Sequence, residues 1–372
     1  MPYMLLRFEK QIKITMELFQ RLSTLFMLLL VIMISGVNIA AAKKIPSRVT
    51  PLSITKSTQG TLIASDTPVE GAKLVTVGIY GINIYNMDVR SNTYHITAYL
   101  WMRWKGDYDP VESLDFVNGV EDWGLVKKVI MKEPELLSNG EKYQVIRIDG
   151  VFFQPFDLKN YPLDKQELSL YLENSSDTYD KIFYVPDRVS SGYDVGLIVP
   201  GWKVNGLTSK SYIHDYGTDF GETGVTRASK YSVVKFAFHV DREVNVFLLK
   251  LFIPLLIVLM TNWFSLILKP TYIEVRTTMP ATALLTLVFL QKSAMDAIPE
   301  CPSLVLMDKI YLLAYLCIVL TLLQIIWVNV YMDRESPESI QKMIKIDRIS
   351  FIAQILSFVV VFVGLMLQII YS

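Results

Sequence analysis

Six side chains in the last third of the sequence, Thr278, Thr282, Leu285, Phe289, Lys292 and Asp296, recur at spacings of 4, 3, 4, 3 and 4. That rhythm puts all six on one face of a helix. Hydroxyls come first, two large apolar groups follow, and a lysine and an aspartate four residues apart end the row. No bond-making chemistry suits such a row. It could line water if several copies of the chain surrounded an axis, or it could pack against neighbouring helices with its threonines bonded to their own backbone. A second constellation, QPFDLKNYPLDKQEL at 154–168, crowds two prolines and three acids into a tight loop. Enzyme constellations are missing. His95, His214 and His239 are scattered without metal-ligand spacing, and neither a phosphate-binding glycine loop nor a serine elbow occurs.

The elements that must hold these residues are of two kinds. Of the 372 residues, 52% are hydrophobic and the net charge is zero, so a nucleic-acid partner has no electrostatic support. Apolar residues concentrate at the extreme N-terminus and after Val246. Arg7, Lys10, Lys13 and Arg21 accompany the apolar run Leu25–Val37 and the small residues Ala40–Ala42. This is the pattern of a secretory signal over residues 1–42, with an uncleaved anchor helix as the alternative. Four later segments, Val246–Leu268, Met279–Ile298, Asp308–Met332 and Ile349–Tyr371, are each near the roughly 20 residues that span a bilayer. Export of the N-terminal domain would make two linkers cytoplasmic, and these hold Lys269, Arg276, Arg334, Lys342, Lys345 and Arg348. The outer linker Pro299–Met307 has no Lys or Arg, as the positive-inside rule requires.

Between Lys43 and Asp241 apolar residues alternate. Leu168, Leu170 and Leu172 oppose Glu167, Ser169 and Tyr171; Leu100, Met102 and Trp104 oppose Tyr99, Trp101 and Arg103; Val234, Phe236, Phe238 and Val240 repeat the rhythm. In Val75–Ile84 the phase flips between Ile79 and Ile82, which predicts a bulge near Gly81. Turn clusters such as SNGEK and DTPVEG separate these runs, so a β-sandwich is predicted. Both cysteines, Cys301 and Cys317, lie in the hydrophobic half, and the exported part is long enough to bury a core without disulfides.

The loop at 154–168 resembles the signature loop of the pentameric ligand-gated ion channels, the Cys-loop receptors. In that family two cysteines enclose thirteen residues around an aromatic-Pro-x-Asp centre. Here Gln154 and Leu168 stand at the cysteine positions, and Pro155, Asp157, Leu158, Tyr161, Pro162, Asp164 and Gln166 match between them. Prokaryotic members likewise lack the disulfide. The resemblance runs from Val75 to the C-terminus. AYLWMRWKGDYDP (98–110) is similar to the strand of the complementary binding face. KEPELLSN (132–139) is similar to a loop usually written W-x-P-D, with Lys132 and Glu135 as departures. Arg242 stands at the arginine before the first membrane helix, Pro254 at that helix's proline, and RTTMPATALLTL (276–287) resembles the cytoplasmic half of the pore helix. The short Asp333–Arg348 linker again resembles prokaryotic members.

The resemblance implies an extracellular all-β, antiparallel, Ig-like sandwich at 43–243, then a four-helix transmembrane α domain at 244–372, in a homopentamer around a central pore. Glu274, Thr278, Thr282, Leu285, Phe289, Lys292 and Asp296 would line the pore, with Leu285 and Phe289 as a dry constriction. A ring of Glu274 would favour cations, and Lys292 would oppose it unless Asp296 offsets the charge. Arg276, about 200° round the helix from Glu274, would face neighbouring helices or headgroups. Pro280 would bring a kink or a water into the helix. For coupling, Asp164 would meet Arg242 with Asp88 nearby, in a loop stiffened by Tyr161-Pro162. The ligand cleft would take Tyr99, Trp101 and Arg103 from one side and Asn139, Glu173, Ser175, Tyr216 and Phe220 from the other. Glu173 would be the carboxylate of an amine cage that Ser175 leaves incomplete.

In function, the resemblance implies a cofactor-free, non-enzymatic channel subunit, N-terminal domain outside, in a bacterial-type cytoplasmic membrane. Its partners would be the lipid bilayer, further copies of itself, a small-molecule or proton agonist and the permeating inorganic ions. A membrane-anchored sensor that does not conduct, and an anion-selective channel, are the alternatives.

Overall fold

The computed structural model describes residues 60–65, 67–120, 125–221, 229–296, 298–299 and 304–370. The expected export segment at 1–42 and Cys301 lie outside these. Two compact units form: strands over Val49–Asp157 and Leu163–Glu243, and helices over Val244–Ser372, with which Leu158–Pro162 groups.

The strand unit comprises β1 (Thr61–Ala64), β2 (Lys73–Asp88), β3 (Thr93–Trp104), β4 (Leu114–Phe116), β5 (Val126–Val129), β6 (Glu135–Leu136), β7 (Lys142–Phe153), β8 (Lys165–Asn174), β9 (Ile182–Pro186), β10 (Gly192–Tyr193), β11 (Trp202–Asp215) and β12 (Lys230–Arg242). One sheet has the order β1-β11-β12-β8-β4 and the other β10-β2-β3-β7-β5, with β6 on β7 and β9 on β2. Alternation in sequence explains the sandwich. Val75, Val77 and Ile79 of β2 and Leu100, Met102 and Trp104 of β3 share one buried core with Leu168, Leu170 and Leu172 of β8 and Phe236, Phe238 and Val240 of β12. Each fully buried large apolar side chain contributes about 1.5–3 kcal/mol, so the core needs no covalent staple.

The predicted bulge is present. The pairing of β2 with β3 slips between Gly81 and Asn83. Gly81 also admits a core ring, because a Cβ there would lie 2.8 Å from Phe238. The expectation of a purely antiparallel sandwich needs correction. Both β9 and β10 pair with β2 in parallel, because the chain leaves β8 in one sheet and crosses to run along the free edge of the other.

In the helical unit, α1 (Val244–Phe264), α2 (Ile273–Met295), α3 (Leu306–Tyr331) and α4 (Pro337–Ile370) follow in order. Of these, α2, α3 and α4 are long and apolar enough to cross a membrane, and Leu249–Phe264 is the apolar part of α1 among the described residues. The helices outrun the apolar segments read from sequence: α2 begins at Ile273 rather than Met279, and α4 at Pro337 rather than Ile349. Hydropathy marks what lipid tolerates, not where helix begins. Proline at the first helical position, then Glu338, Gln341, Lys342 and Lys345, suits a polar first part of a helix. Most of the expected Asp333–Arg348 linker is therefore helix. Pro280 lies buried inside α2, which continues through it.

Candidate functional site

Helix α2 has two unlike faces. Arg276, Pro280, Ala283 and Leu287 are buried. Glu274, Thr278, Thr282, Leu285, Phe289, Lys292 and Asp296 are all exposed, Leu285 at 59% and Phe289 at 63%. The polar-apolar stripe is thus not consumed in packing the chain's own helices. Its threonines do bond to their own backbone: Thr278 donates to the Glu274 carbonyl at 2.7 Å and Thr282 to that of Thr278 at 2.9 Å. Their oxygen lone pairs stay available on the exposed face. Asp296 closes the helix with its backbone N–H on the Lys292 carbonyl, and no ion pair joins the two side chains among the described residues.

The buried face holds a polar network that sequence reasoning did not find. Arg276 Nη2 donates to Asp347 Oδ2 at 2.8 Å, and Nε donates to the Ser265 carbonyl at 3.0 Å. Gln324 Nε2 lies 3.4 Å from Asp347 Oδ1. One turn back on α3, the Thr321 hydroxyl accepts from Asn262 Nδ2 and reaches Gln354 Oε1, both at 3.0 Å. All four helices contribute. The available signal was positional: Met343, Asp347 and Gln354 recur at helical spacing on the buried face of α4.

In the strand unit, Asp164 and Arg242 meet. Arg242 Nε donates to Oδ1 at 2.7 Å and Nη2 to Oδ2 at 3.0 Å, with side-chain exposures of 1% for the acid and 13% for the base. The guanidinium lies 4.1 Å from the Trp202 ring centroid, and Gln166 Nε2 donates to Asp164 Oδ2 at 2.7 Å. Asp88 does not join them. Its carboxylate accepts from the backbone N–H groups of Arg90 and Ser91 at 2.8 and 3.4 Å. A short acid in a turn is best satisfied locally, and the bonds from Ser91 and Arg90 hold its pKa below the ordinary carboxylate value.

Two glutamine amides close the loop between Gln154 and Leu168. Gln154 Oε1 accepts from the N–H of Ser169 at 3.1 Å. Gln166 accepts from the N–H of Asp157 at 3.0 Å and donates to its carbonyl at 2.9 Å. The Tyr161–Pro162 peptide is cis. Leu158 and Tyr161 are buried, and within the helical unit the Lys159 carbonyl accepts from the N–H of Leu306 at 3.1 Å.

The expected ligand residues fall into two groups. On β3, Trp101 Nε1 and Arg103 Nη2 both donate to Asp187 Oδ2, at 3.2 and 2.9 Å. Burial pushes the Asp187 pKa up, but the Ser190 backbone, the Trp101 bond and the Arg103 charge together hold it below the usual value. The Trp101 indole occupies the space over Gly78, where a Cβ would lie 2.1 Å from the ring. Tyr99 stands in the same outward row, opposite Tyr80 on β2 and Arg147 on β7.

The second group gathers where β8 ends beside the β11–β12 pair. Glu173 Oε2 bonds His214 Nδ1 and Oε1 accepts from the Tyr216 hydroxyl, each at 2.9 Å. His214 stacks on Tyr216 at 3.8 Å between centroids, with Phe220 5.0 Å and Tyr231 5.8 Å from Tyr216. Burial raises the Glu173 pKa, only partly offset by His214 and Tyr216, and burial and the Glu173 carboxylate raise that of Tyr216. Phe220 is 64% exposed. Ser175 and Asn139 are not in this cluster: Ser175 donates to the Ser113 carbonyl at 3.1 Å, and Asn139 bonds Glu141 within its own turn. Nor does one chain unite the two groups, since β3 lies in one sheet and β8 and β11 in the other.

A strand sandwich followed by apolar helices is consistent with the fold of the pentameric ligand-gated channels. No family model matches the chain. The chain is a membrane protein similar in sequence to the proton-gated ion channel of Gloeobacter violaceus, 21% identical over 297 residues that cover 74% of this chain and 79% of that relative.

Proposed function

We propose that this chain is the subunit of a homopentameric ligand-gated ion channel, with the strand unit outside a bacterial-type cytoplasmic membrane and five copies of α2 around the pore. The observation that carries the reading is the exposed stripe of α2, opposite a face that is fully used in packing. Lipid is a poor neighbour for Thr278, Thr282 and Lys292, and water in a pore shared by several copies is a good one. A small ligand or a proton acts on the strand unit, and the relative's name makes the proton the first agonist to apply. The bidentate Asp164–Arg242 pair and the amide-tied loop couple that event to the helices.

Glu274 is exposed in the first turn of α2. Five such carboxylates concentrate cations at the cytoplasmic mouth. Lys292 opposes them from the other end of the stripe, but an exposed charge at that distance is largely screened. The test is purified protein in liposomes under a sodium chloride gradient, stepped from neutral to acidic pH and across a panel of small amines and carboxylates. Agonist-evoked current reversing near the sodium potential, and shifting toward zero in Glu274→Gln, is expected. A parent reversing near the chloride potential makes Lys292 the controlling charge. The absence of current under every condition favours a non-conducting sensor.

A further inference from the structure

We infer that Asp347, on the last helix, sets the ion preference of the pore by holding Arg276 away from the face that carries Glu274; the inference rests on the channel reading above. Opposite charges leave α2 only two residues apart. Glu274 is exposed, whereas Arg276 is 0% exposed in the interior of the bundle. An arginine has the length and flexibility to lift its head into nearby water, and apolar surroundings favour that escape. Few bonds prevent it. Among the described residues Asp347 is its only charged partner, the Ser265 carbonyl is the one other acceptor, and Nη1 bonds nothing. Asp347 is itself 1% exposed and fixed by Gln324 from α3, so the anchor sits on elements that line no part of the proposed pore.

A guanidinium stripped of its counter-charge in such a place is strongly unfavourable. The two side chains leave α2 about 200° apart, so relief comes from lifting the head along the helix into the water at its first turn, where Glu274 stands. In five copies this sets five positive charges against five negative ones at the same mouth, and the field that concentrates cations cancels. Asp347 is therefore a positioning residue. It touches no permeating ion, and its effect on selectivity runs through Arg276.

The experiment compares the reversal potentials of the parent, D347N, D347E and the double variant R276M/D347L in the same sodium chloride gradient. D347N is expected to lower the cation-to-anion permeability ratio by about threefold or more, because the added positive charges offset the field of the Glu274 ring. D347E, which keeps the counter-charge, is expected to restore the parent ratio. R276M/D347L removes both buried charges, a replacement bundles often tolerate, and is expected to assemble with the parent's ratio. A merely structural role lowers the yield or melting temperature of D347N and leaves its reversal potential alone, which overturns the inference. So does a double variant that loses as much selectivity as D347N. Should D347N fail to assemble, the double variant decides: the parent ratio there supports the inference and a reduced one overturns it. A silent parent overturns both the channel reading and this inference, whereas a cation-preferring parent with an unchanged D347N overturns the role of Asp347 alone.

Discussion

Glu173 has both oxygens engaged inside its own chain, one by His214 and one by Tyr216. The residue is 4% exposed, so an amine would have to open the cluster to reach a remaining lone pair, while a proton needs no room. Burial raises the Glu173 pKa, so folding favours its neutral form. The stability this group contributes is complete below the ordinary carboxylate range and is lost as pH rises through its raised native value. Glu173→Gln stays neutral. Its melting temperature should fall less than the parent's between about pH 4 and about pH 7; equal falls in the two proteins would show that Glu173 is not the group. Family resemblance singled out Glu173, Tyr216 and Phe220, but His214 passed as a scattered strand residue. Its role depends on register: Asp215 pairs with Lys230 across β11 and β12, and that pairing brings His214 to the carboxylate and Tyr231 to the Tyr216 ring. Asp187 was harder still, because it sits in a turn after β9 where no periodicity exists to read.

At the scale of elements, the Asp164–Arg242 pair ties the start of β8 to the end of β12. Deleting one partner of a buried pair costs about 3–5 kcal/mol. Arg242→Ala should therefore abolish agonist-evoked current while most of the protein still reaches the membrane, and Arg242→Lys, with charge but no bidentate fork, should fall between. Normal currents from Arg242→Ala would remove the pair from the coupling path. In α2, Leu285 is 59% exposed at the middle of the stripe. A hydroxyl there makes wetting easier, so Leu285→Thr should open at lower agonist concentration or leak without agonist. An unchanged dose response would move the gate to Phe289. The strands behind these residues were readable because alternation survives in a half-buried sheet, down to the bulge beside Gly81. Helix ends were not, since apolar runs report burial in lipid while α4 already begins in the polar stretch after Pro337.

For the whole molecule, the helices differ sharply in how far one chain satisfies them. The spanning part of α3 is 61% buried and that of α2 only 22%. A helix with exposed hydroxyls and charges needs neighbours other than lipid, so the proposed assembly would be part of its stability. Cross-linked or gently solubilised protein should have the mass of five chains, and a stable monomer in bilayers would defeat the pore. Composition alone divided the chain into a strand half and a helical half. Among the described residues the proposed partner copies would be recorded in the α2 stripe, because one chain records its neighbours solely as surface it does not cover. The glutamine-tied loop also bears on how the protein is made. A closure built from amides is complete once the chain has folded, with no oxidant, no exchange of sulfurs and no mispairing to undo. Such a loop forms alike in an oxidising compartment and in reduced cell-free synthesis, and a reductant added to the medium finds no bond there to break.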